Sequence, residues 1–362
     1  MTLAKKLRIL IVDDSSLARA LLRSLIEDQD DMQIVGEAHN GHEAVRLCAD
    51  LKPDLVTMDL MMPVMDGMAA IEAIMHERAV PILVISSQAD AQRACQALDL
   101  GALEVIGKPD FTSDEPQELL RKIRLLAGVS VFTRFRRSNR MLQASIELTP
   151  LPKSTQVPQP DFERVVAIAS STGGPQALAR ILPRLPADFP APILVAQHMS
   201  DGFVDGMARW LDGLCQLEVR VAKEGELIRP GCIYISPSEC HLEVNAAHRV
   251  RLQARQEKDI YRPSCDHLLA SVAKVYRHAG IGLILTGMGR DGAQGMLALH
   301  QAGGVTLAQD EASSVIFGMN QVAIETGGVH LVLPLDQLPA NLTRAVSLSP
   351  TAYLTLAREK QA

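Results

Sequence analysis

The sequence predicts an α/β protein built from two doubly wound domains, and three observations support that expectation. Short apolar runs alternate with helical periodicity from Leu7 to about Gly128. The alternation fails between 129 and 163, where Pro150, Pro152, Pro158 and Pro160 lie among Ser, Thr and Gln, a linker composition. It resumes at Val165 and runs to about Leu348. The expected divisions are a first domain over 1–128, a linker over 129–163 and a second domain over 164–349. A chain of 362 residues with 47% hydrophobic residues exceeds one ordinary core and supplies enough apolar surface for two.

In the first domain the runs Ile9 to Val12, Ile34-Val35, Leu55 to Met58, Ile82 to Ile85 and Val105-Ile106 predict a five-stranded parallel sheet with five helices. Helix starts are marked at Ser15-Ser16, Asn40-Gly41, Asp66-Gly67 and Asp90, because short polar side chains accept the first-turn N–H groups. Leu17, Leu21, Leu22, Leu25 and Ile26 form an apolar stripe on the first helix. In the second domain Val165 to Ala169, Ile193 to Ala196 and Ile281 to Leu285 read as buried strands. Cys232 to Ile235 and Val250 to Leu252 interrupt the middle, so a larger parallel sheet with an inserted antiparallel hairpin region is expected.

A formal charge of −6 and a pI near 5.9 give no general attraction to nucleic acid or anionic lipid, and no nucleic-acid partner is expected. Arg121, Lys122, Arg124, Arg134, Arg136, Arg137 and Arg140 form one local basic run. It reads as a solvated helix entering a tether, with a surface for phosphate-rich partners as the alternative. Lys5, Lys6 and Arg8 precede an apolar run that stops at two aspartates, which marks a short strand and not a signal peptide. No stretch approaches the roughly 18 apolar residues of a membrane span, so the protein is expected not to be membrane-embedded. Six cysteines without a Cys-x-x-Cys pair suit reduced thiols and a cytoplasmic location.

Asp13 and Asp14 end the first strand and Asp59 the third, so a doubly wound sheet brings three carboxylates to its carboxyl edge. A hard divalent cation relieves their repulsion, and Mg²⁺ suits the set because it takes few carboxylates and keeps water and a phosphate oxygen. Asp59 could then accept a phosphoryl group, with Lys108 offsetting charge. One aspartate alone would read as a helix cap. Together with Met58-Asp59-Leu60-Met61-Met62-Pro63, Asp66-Gly67, Ser86 and Lys108-Pro109, the first 120 residues or so resemble the two-component receiver family, which is flavodoxin-like. The resemblance implies Asp59 as the phosphorylation site, and Asp14, Asp59 and the Met61 backbone carbonyl as metal ligands with Asp13 acting indirectly. Ser86 and Lys108 would contact the phosphoryl group. The aromatic switch position of that family is Val105 here.

Ser171, His198 and Asp291 each lie within a few residues of the end of a strand-like run, where open parallel sheets place their chemistry. A nucleophile, a base and a carboxylate there suggest acyl transfer. Ser171-Thr172-Gly173-Gly174-Pro175 taken alone suits a phosphate-binding turn better than a nucleophile, and His198 alone suits a packed or capping residue. A phosphate site needs neither His198 nor Asp291. There is no Gly-x-Ser-x-Gly elbow, since residues 169 to 173 read Ala-Ser-Ser-Thr-Gly.

With Arg262-Pro263-Ser264-Cys265-Asp266, Gln309-Asp310-Glu311-Ala312-Ser313-Ser314 and Phe317-Gly318-Met319, the chain resembles the protein-glutamate methylesterases of bacterial chemotaxis. The resemblance implies hydrolysis of glutamate γ-methyl esters on chemoreceptor cytoplasmic domains, deamidation of receptor glutamines as a second reaction, and a chemotaxis histidine kinase as phosphodonor. Ser171, His198 and Asp291 would be catalytic, with no cofactor for the esterase chemistry. Met288 and Gly289 N–H groups are oxyanion candidates, and Thr172 a candidate to position His198. Departures from the family are Ser200-Asp201 in place of Pro-Pro, Tyr261 in place of His and Asn320 in place of Pro. Cys240-His241 and Cys265-Asp266-His267 lack zinc-ligand spacing, and the Met61, Met62, Met65 and Met68 cluster reads as packing. The contrasting class, a non-enzymatic regulator that binds DNA or nucleotide, leaves Ser171, His198 and Asp291 without a task.

Overall fold

The computed structural model describes residues 6–87, 90–108, 115–129, 131, 162–256 and 258–359. In the first domain β1 (Leu7–Val12), α1 (Ser16–Glu27), β2 (Met32–Ala38), α2 (Gly41–Leu51), β3 (Leu55–Met58) and α3 (Gly67–Glu77) are followed by β4 (Ile82–Ser86), α4 (Ala91–Leu100), β5 (Glu104–Gly107) and α5 (Glu115–Leu126). The sheet order is β2-β1-β3-β4-β5, all parallel, which puts the ends of β1 and β3 side by side at the switch point. Ser15, Asn40 and Asp66 accept the N–H groups of Ala18, Glu43 and Ala69, as the capping signals predict. Asp90 precedes α4 without a side-chain cap bond. The α1 stripe divides: Leu22 and Ile26 are buried, whereas Leu17 is 69% and Leu21 37% exposed. Only one side of that helix faces the sheet.

The second domain runs β6 (Val165–Ser170), α6 (Gly174–Ile181), β7 (Ile193–Gln197), α7 (Val204–Asp212), β8 (Glu218–Val221), β9 (Cys232–Ile235), β10 (Cys240–Val244) and β11 (Val250–Ala254). It continues through α8 (Cys265–Tyr276), β12 (Gly280–Ile284), α9 (Ala293–Gln301), β13 (Val305–Gln309), α10 (Met319–Glu325), β14 (Leu331–Leu333), α11 (Leu338–Ser347) and α12 (Pro350–Glu359). Seven parallel strands take the order β14-β13-β12-β6-β7-β9-β8. β10 and β11 form the expected antiparallel hairpin. Cys232–Ile235, however, does not interrupt the main sheet but joins it as β9, paired in parallel with both β7 and β8.

Both faces of the β6 segment are covered, and Val165 to Ala169 are fully buried, the usual condition of a parallel sheet between helices. Beyond 349, α12 packs back through buried Tyr353, whose hydroxyl donates to Asn341 Oδ1 at 3.1 Å. The two domains share apolar packing, with α4 against α7. There a Cβ on Gly206 would lie 2.6 Å from the Ala91 backbone, so only glycine permits the approach. Most of the linker, including Arg134, Arg136, Arg137 and Arg140, lies outside the described residues. Among the described residues no helix is long and apolar enough to cross a membrane.

Candidate active site and receiver pocket

β12, β6 and β7 are neighbours in the sheet, so the segments that leave their carboxyl ends are adjacent and carry Asp291, Ser171 and His198 respectively. Backbone bonds tie the strand ends laterally: Ser171 N–H donates to Thr286 O at 3.1 Å and His198 N–H to Ser170 O at 3.0 Å. Gly287 lies against Ser171, where a Cβ would approach Ser171 Cβ to 2.7 Å. Buried Gln197, at the end of β7, donates through Nε2 to Ser171 O at 2.9 Å and His198 O at 2.7 Å. Its Oε1 accepts the Ser170 hydroxyl at 2.7 Å.

His198 Nε2 lies 2.8 Å from Asp291 Oδ2, and the Asp291 side chain is 1% exposed. The start of α8 cradles that carboxylate. Cys265 N–H donates to Oδ2 at 2.6 Å, Asp266 N–H to Oδ1 at 3.0 Å, Gly292 N–H to Oδ1 at 3.1 Å and the Ser264 hydroxyl to Oδ1 at 3.0 Å. A helix N-terminus favours an anion through its free N–H groups and dipole. Burial alone would raise the Asp291 pKa, but the His198 contact and these N–H groups hold it below the ordinary carboxylate value. With Nε2 engaged by Asp291, Nδ1 is the ring nitrogen that makes no hydrogen bond among the described residues. The Ser171 hydroxyl makes no hydrogen bond among the described residues, whereas Ser170, fully buried, spends its own on Gln197.

Tyr261 stacks on the His198 ring at 5.3 Å between centroids and 11° between planes. Asp201 forms a two-point ion pair with Arg255 at 2.9 and 2.8 Å, which pins the loop after His198. Asn320 is buried and donates to Gln309 O at 2.7 Å. The Thr172 hydroxyl makes no hydrogen bond to His198; Gln197 holds the backbone of both site loops instead. Neither the Met288 nor the Gly289 N–H is used by a backbone acceptor among the described residues. Cys265 is fully buried, and its thiol pKa is raised well above the ordinary value by burial and the Asp291 charge, which rules it out as a ready thiolate nucleophile.

In the first domain Asp13, Asp14 and Asp59 each offer a carboxylate oxygen within 4.8 Å of the others. Lys108 Nζ lies 2.9 Å from Asp13 Oδ2 and 3.3 Å from Asp59 Oδ1. Burial pushes the Asp59 pKa up to about 6, with Lys108 opposing and Asp13 adding to the rise. Burial works against the Lys108 charge, yet its bond to Asp13 and the two carboxylates raise its pKa. Gly67 permits this packing, since a Cβ there would fall 2.1 Å from the Asp59 carbonyl. The buried Ser86 hydroxyl has no partner, and the Met61 carbonyl accepts no backbone bond among the described residues. Carboxylates, one free carbonyl and an unpartnered hydroxyl suit a hard cation with an oxyanion beside it. Val105 is 2% exposed.

A CheB methylesterase family model matches residues 166–342, and a response regulator receiver domain model matches residues 9–124. A protein-glutamate methylesterase/protein-glutamine glutaminase of Paramagnetospirillum magneticum is 48% identical over 345 residues, covering 95% of this chain and 97% of that protein. One from Anaeromyxobacter dehalogenans is 42% identical, covering 93% and 96%. The crystal structure of the Thermotoga maritima CheB methylesterase catalytic domain is 40% identical, covers 51% of this chain and 98% of that one, and superposes with a TM-score of 0.49. With identity this high over nearly the full length of both relatives, the chain belongs to the protein-glutamate methylesterase/protein-glutamine glutaminase family, a CheB methylesterase domain following a response regulator receiver.

Proposed function

We propose that the chain hydrolyses glutamate γ-methyl esters on the cytoplasmic domains of chemoreceptors, and deamidates receptor glutamines by the same route, under control of phosphorylation at Asp59. The observation that supports this most is the His198–Asp291 pair at 2.8 Å on strand ends flanking the one that carries Ser171. Ser171 Oγ turns toward His198 Nδ1 when substrate binds; catalytic hydrogen bonds are often open in the free enzyme. It attacks the ester carbonyl while Nδ1 takes its proton, and Asp291 stabilises the resulting imidazolium through Nε2. Met288 and Gly289 N–H groups face the developing oxyanion. The imidazolium then protonates the departing methoxide, or the amide nitrogen so that ammonia leaves, and water hydrolyses the acyl-serine with His198 again as base. The esterase step takes no cofactor.

In the receiver, Asp14, Asp59 and the Met61 carbonyl would hold Mg²⁺, with Asp13 acting indirectly. Bound there, the cation supplies positive charge beside the phosphoryl oxygens. Ser86 and Lys108 contact the phosphoryl group, and a chemotaxis histidine kinase in the cytoplasm donates it. We take 1–128 as the receiver, 129–163 as a tether and 164–349 as the esterase unit. Arg121 of α5 reaches Met288 Sδ at 3.3 Å, so the receiver sits against the proposed oxyanion loop.

The test is methanol release from methylated receptor. Ser171→Ala is expected to lose at least about three orders of magnitude in kcat with an unchanged circular dichroism spectrum. A folded Ser171→Ala protein with near-normal methanol release would refute the assignment.

A further inference from the structure

Beside the His198–Asp291 pair lies a third side chain that the hydrolytic mechanism does not use. Cys265 Sγ is 3.5 Å from His198 Nε2, and the sulfur, that nitrogen and an Asp291 oxygen all fall within 4.8 Å of one another. We propose that Cys265, His198 and Asp291 form a binding site for a thiophilic divalent cation, Zn²⁺ above all, and that its occupation silences the esterase.

One sulfur, one imidazole nitrogen and one carboxylate oxygen make a tetrahedral zinc donor set with a fourth position open to water. Ligands about 2.0–2.3 Å from a tetrahedral ion lie about 3.3–3.7 Å apart. The sulfur–nitrogen separation already fits at 3.5 Å; Nε2 and Oδ2, at 2.8 Å, need to part by about half an ångström. Donors to Oδ1 from Ser264, Asp266 and Gly292 keep the carboxylate aimed while Oδ2 turns to the metal, the service that outer hydrogen bonds perform in metal sites. The His198 side chain is 14% exposed, which gives the ion an entry from the rim.

The proton balance explains the silencing. Coordination removes the thiol proton to solvent, since a metal-bound cysteine is a thiolate. The Nε2 proton moves to Nδ1 as the metal takes the Nε2 lone pair. The site gains two positive charges and releases one proton, and Nδ1 can no longer accept the proton of Ser171. Binding depends only on the three ligands; silencing rests on the proposed Ser171 mechanism.

The test uses the full chain with excess Mg²⁺ to fill the acidic pocket, Co²⁺ as optical probe and Zn²⁺ as inhibitor. The unsubstituted protein is expected to show a sulfur-to-cobalt charge-transfer band, and Zn²⁺ to suppress methanol release reversibly on addition of EDTA. Cys265→Ala and Cys265→Ser should lose the band and need at least about tenfold more Zn²⁺ for the same inhibition, each compared with its own EDTA-treated rate. The serine variant preserves side-chain size should alanine unfold the site. Absence of the band from folded unsubstituted protein, or equal Zn²⁺ sensitivity in a folded Cys265 variant, overturns the site. A Cys265-dependent band with undiminished methanol release overturns the silencing. Because the band needs no turnover, failure of the site is distinguishable from failure of the Ser171 mechanism.

Discussion

Ser170 and Ser171 are neighbours in sequence with opposite surroundings: one hydroxyl is fully buried on Gln197, the other is unbonded at the rim. Ser170→Ala leaves Gln197 Oε1 without its donor, a loss of about 1–3 kcal/mol for a buried acceptor. We expect a lower Tm with kcat within about tenfold of normal, the reverse of the Ser171→Ala pattern. Thermal denaturation and methanol release on the same preparation read both. Asp59 carries the other residue-scale consequence. Its folded pKa of about 6 exceeds the ordinary aspartate value of 3.8, so between those values the native state keeps a proton that the unfolded chain has released. Stability therefore falls as pH rises from about 4 to 6 and stays reduced above that range. Asp59→Asn should stabilise the Mg²⁺-free protein at pH above this range by up to about 3 kcal/mol, and by little at a pH near 4. Urea denaturation at the two pH values measures the difference; equal gains at both would contradict the assigned burial penalty.

The start of α8 does two tasks, ending a loop and holding Asp291. Ser264 accepts the His267 N–H as N-cap and donates to Asp291. Ser264→Ala should cost about 1 kcal/mol of stability through the lost cap, and should lower kcat with little change in KM by loosening Asp291. Ser264→Thr, which keeps the hydroxyl, should recover most of both losses. The strand ends carrying Asp13, Asp59, Ser171, His198 and Asp291 were legible because apolar runs and capping residues are local patterns of a few positions. The α8 cradle was not, because Ser264 and Asp291 meet across 27 positions and nothing near Asp291 announces the donor. Gln197 reads only as the last residue of an apolar run. The place of β9 was hidden for a similar reason: a short apolar strand has the same sequence in a hairpin and in a parallel sheet. On α1, periodicity identified the helix, but the width of its buried face was set by the sheet it packs on.

At the scale of the whole molecule, receiver and esterase meet through α4 and α7, and the chain's single tryptophan lies in that contact. Trp210 Nε1 donates to Asp99 Oδ2 at 2.8 Å, and Gln176 Nε2 to Ala102 O at 2.6 Å. Phe203, buried at the start of α7, packs against Gly107, the residue before Lys108. Rearrangement around a phosphorylated Asp59 thus has a short physical route to the loop after His198 where Val105 supplies no aromatic switch. A small phosphodonor with Mg²⁺ should change Trp210 fluorescence and raise methanol release together, and Asp59→Asn should abolish both responses. Asp99→Ala should raise the unphosphorylated rate by roughly two- to tenfold, the equivalent of one net hydrogen bond. An unchanged rate would place the restraint elsewhere in the interface.

The most direct measurement is mass spectrometry of enzyme rapidly quenched in acid during turnover of a methylated receptor substrate. An acyl adduct on Ser171, absent from Ser171→Ala and formed far more slowly by His198→Ala, is the expected result. Methanol release by active enzyme with the adduct on Ser170 or Cys265, or with no dependence on His198, would contradict the convergence of three strand ends on one hydrolytic centre.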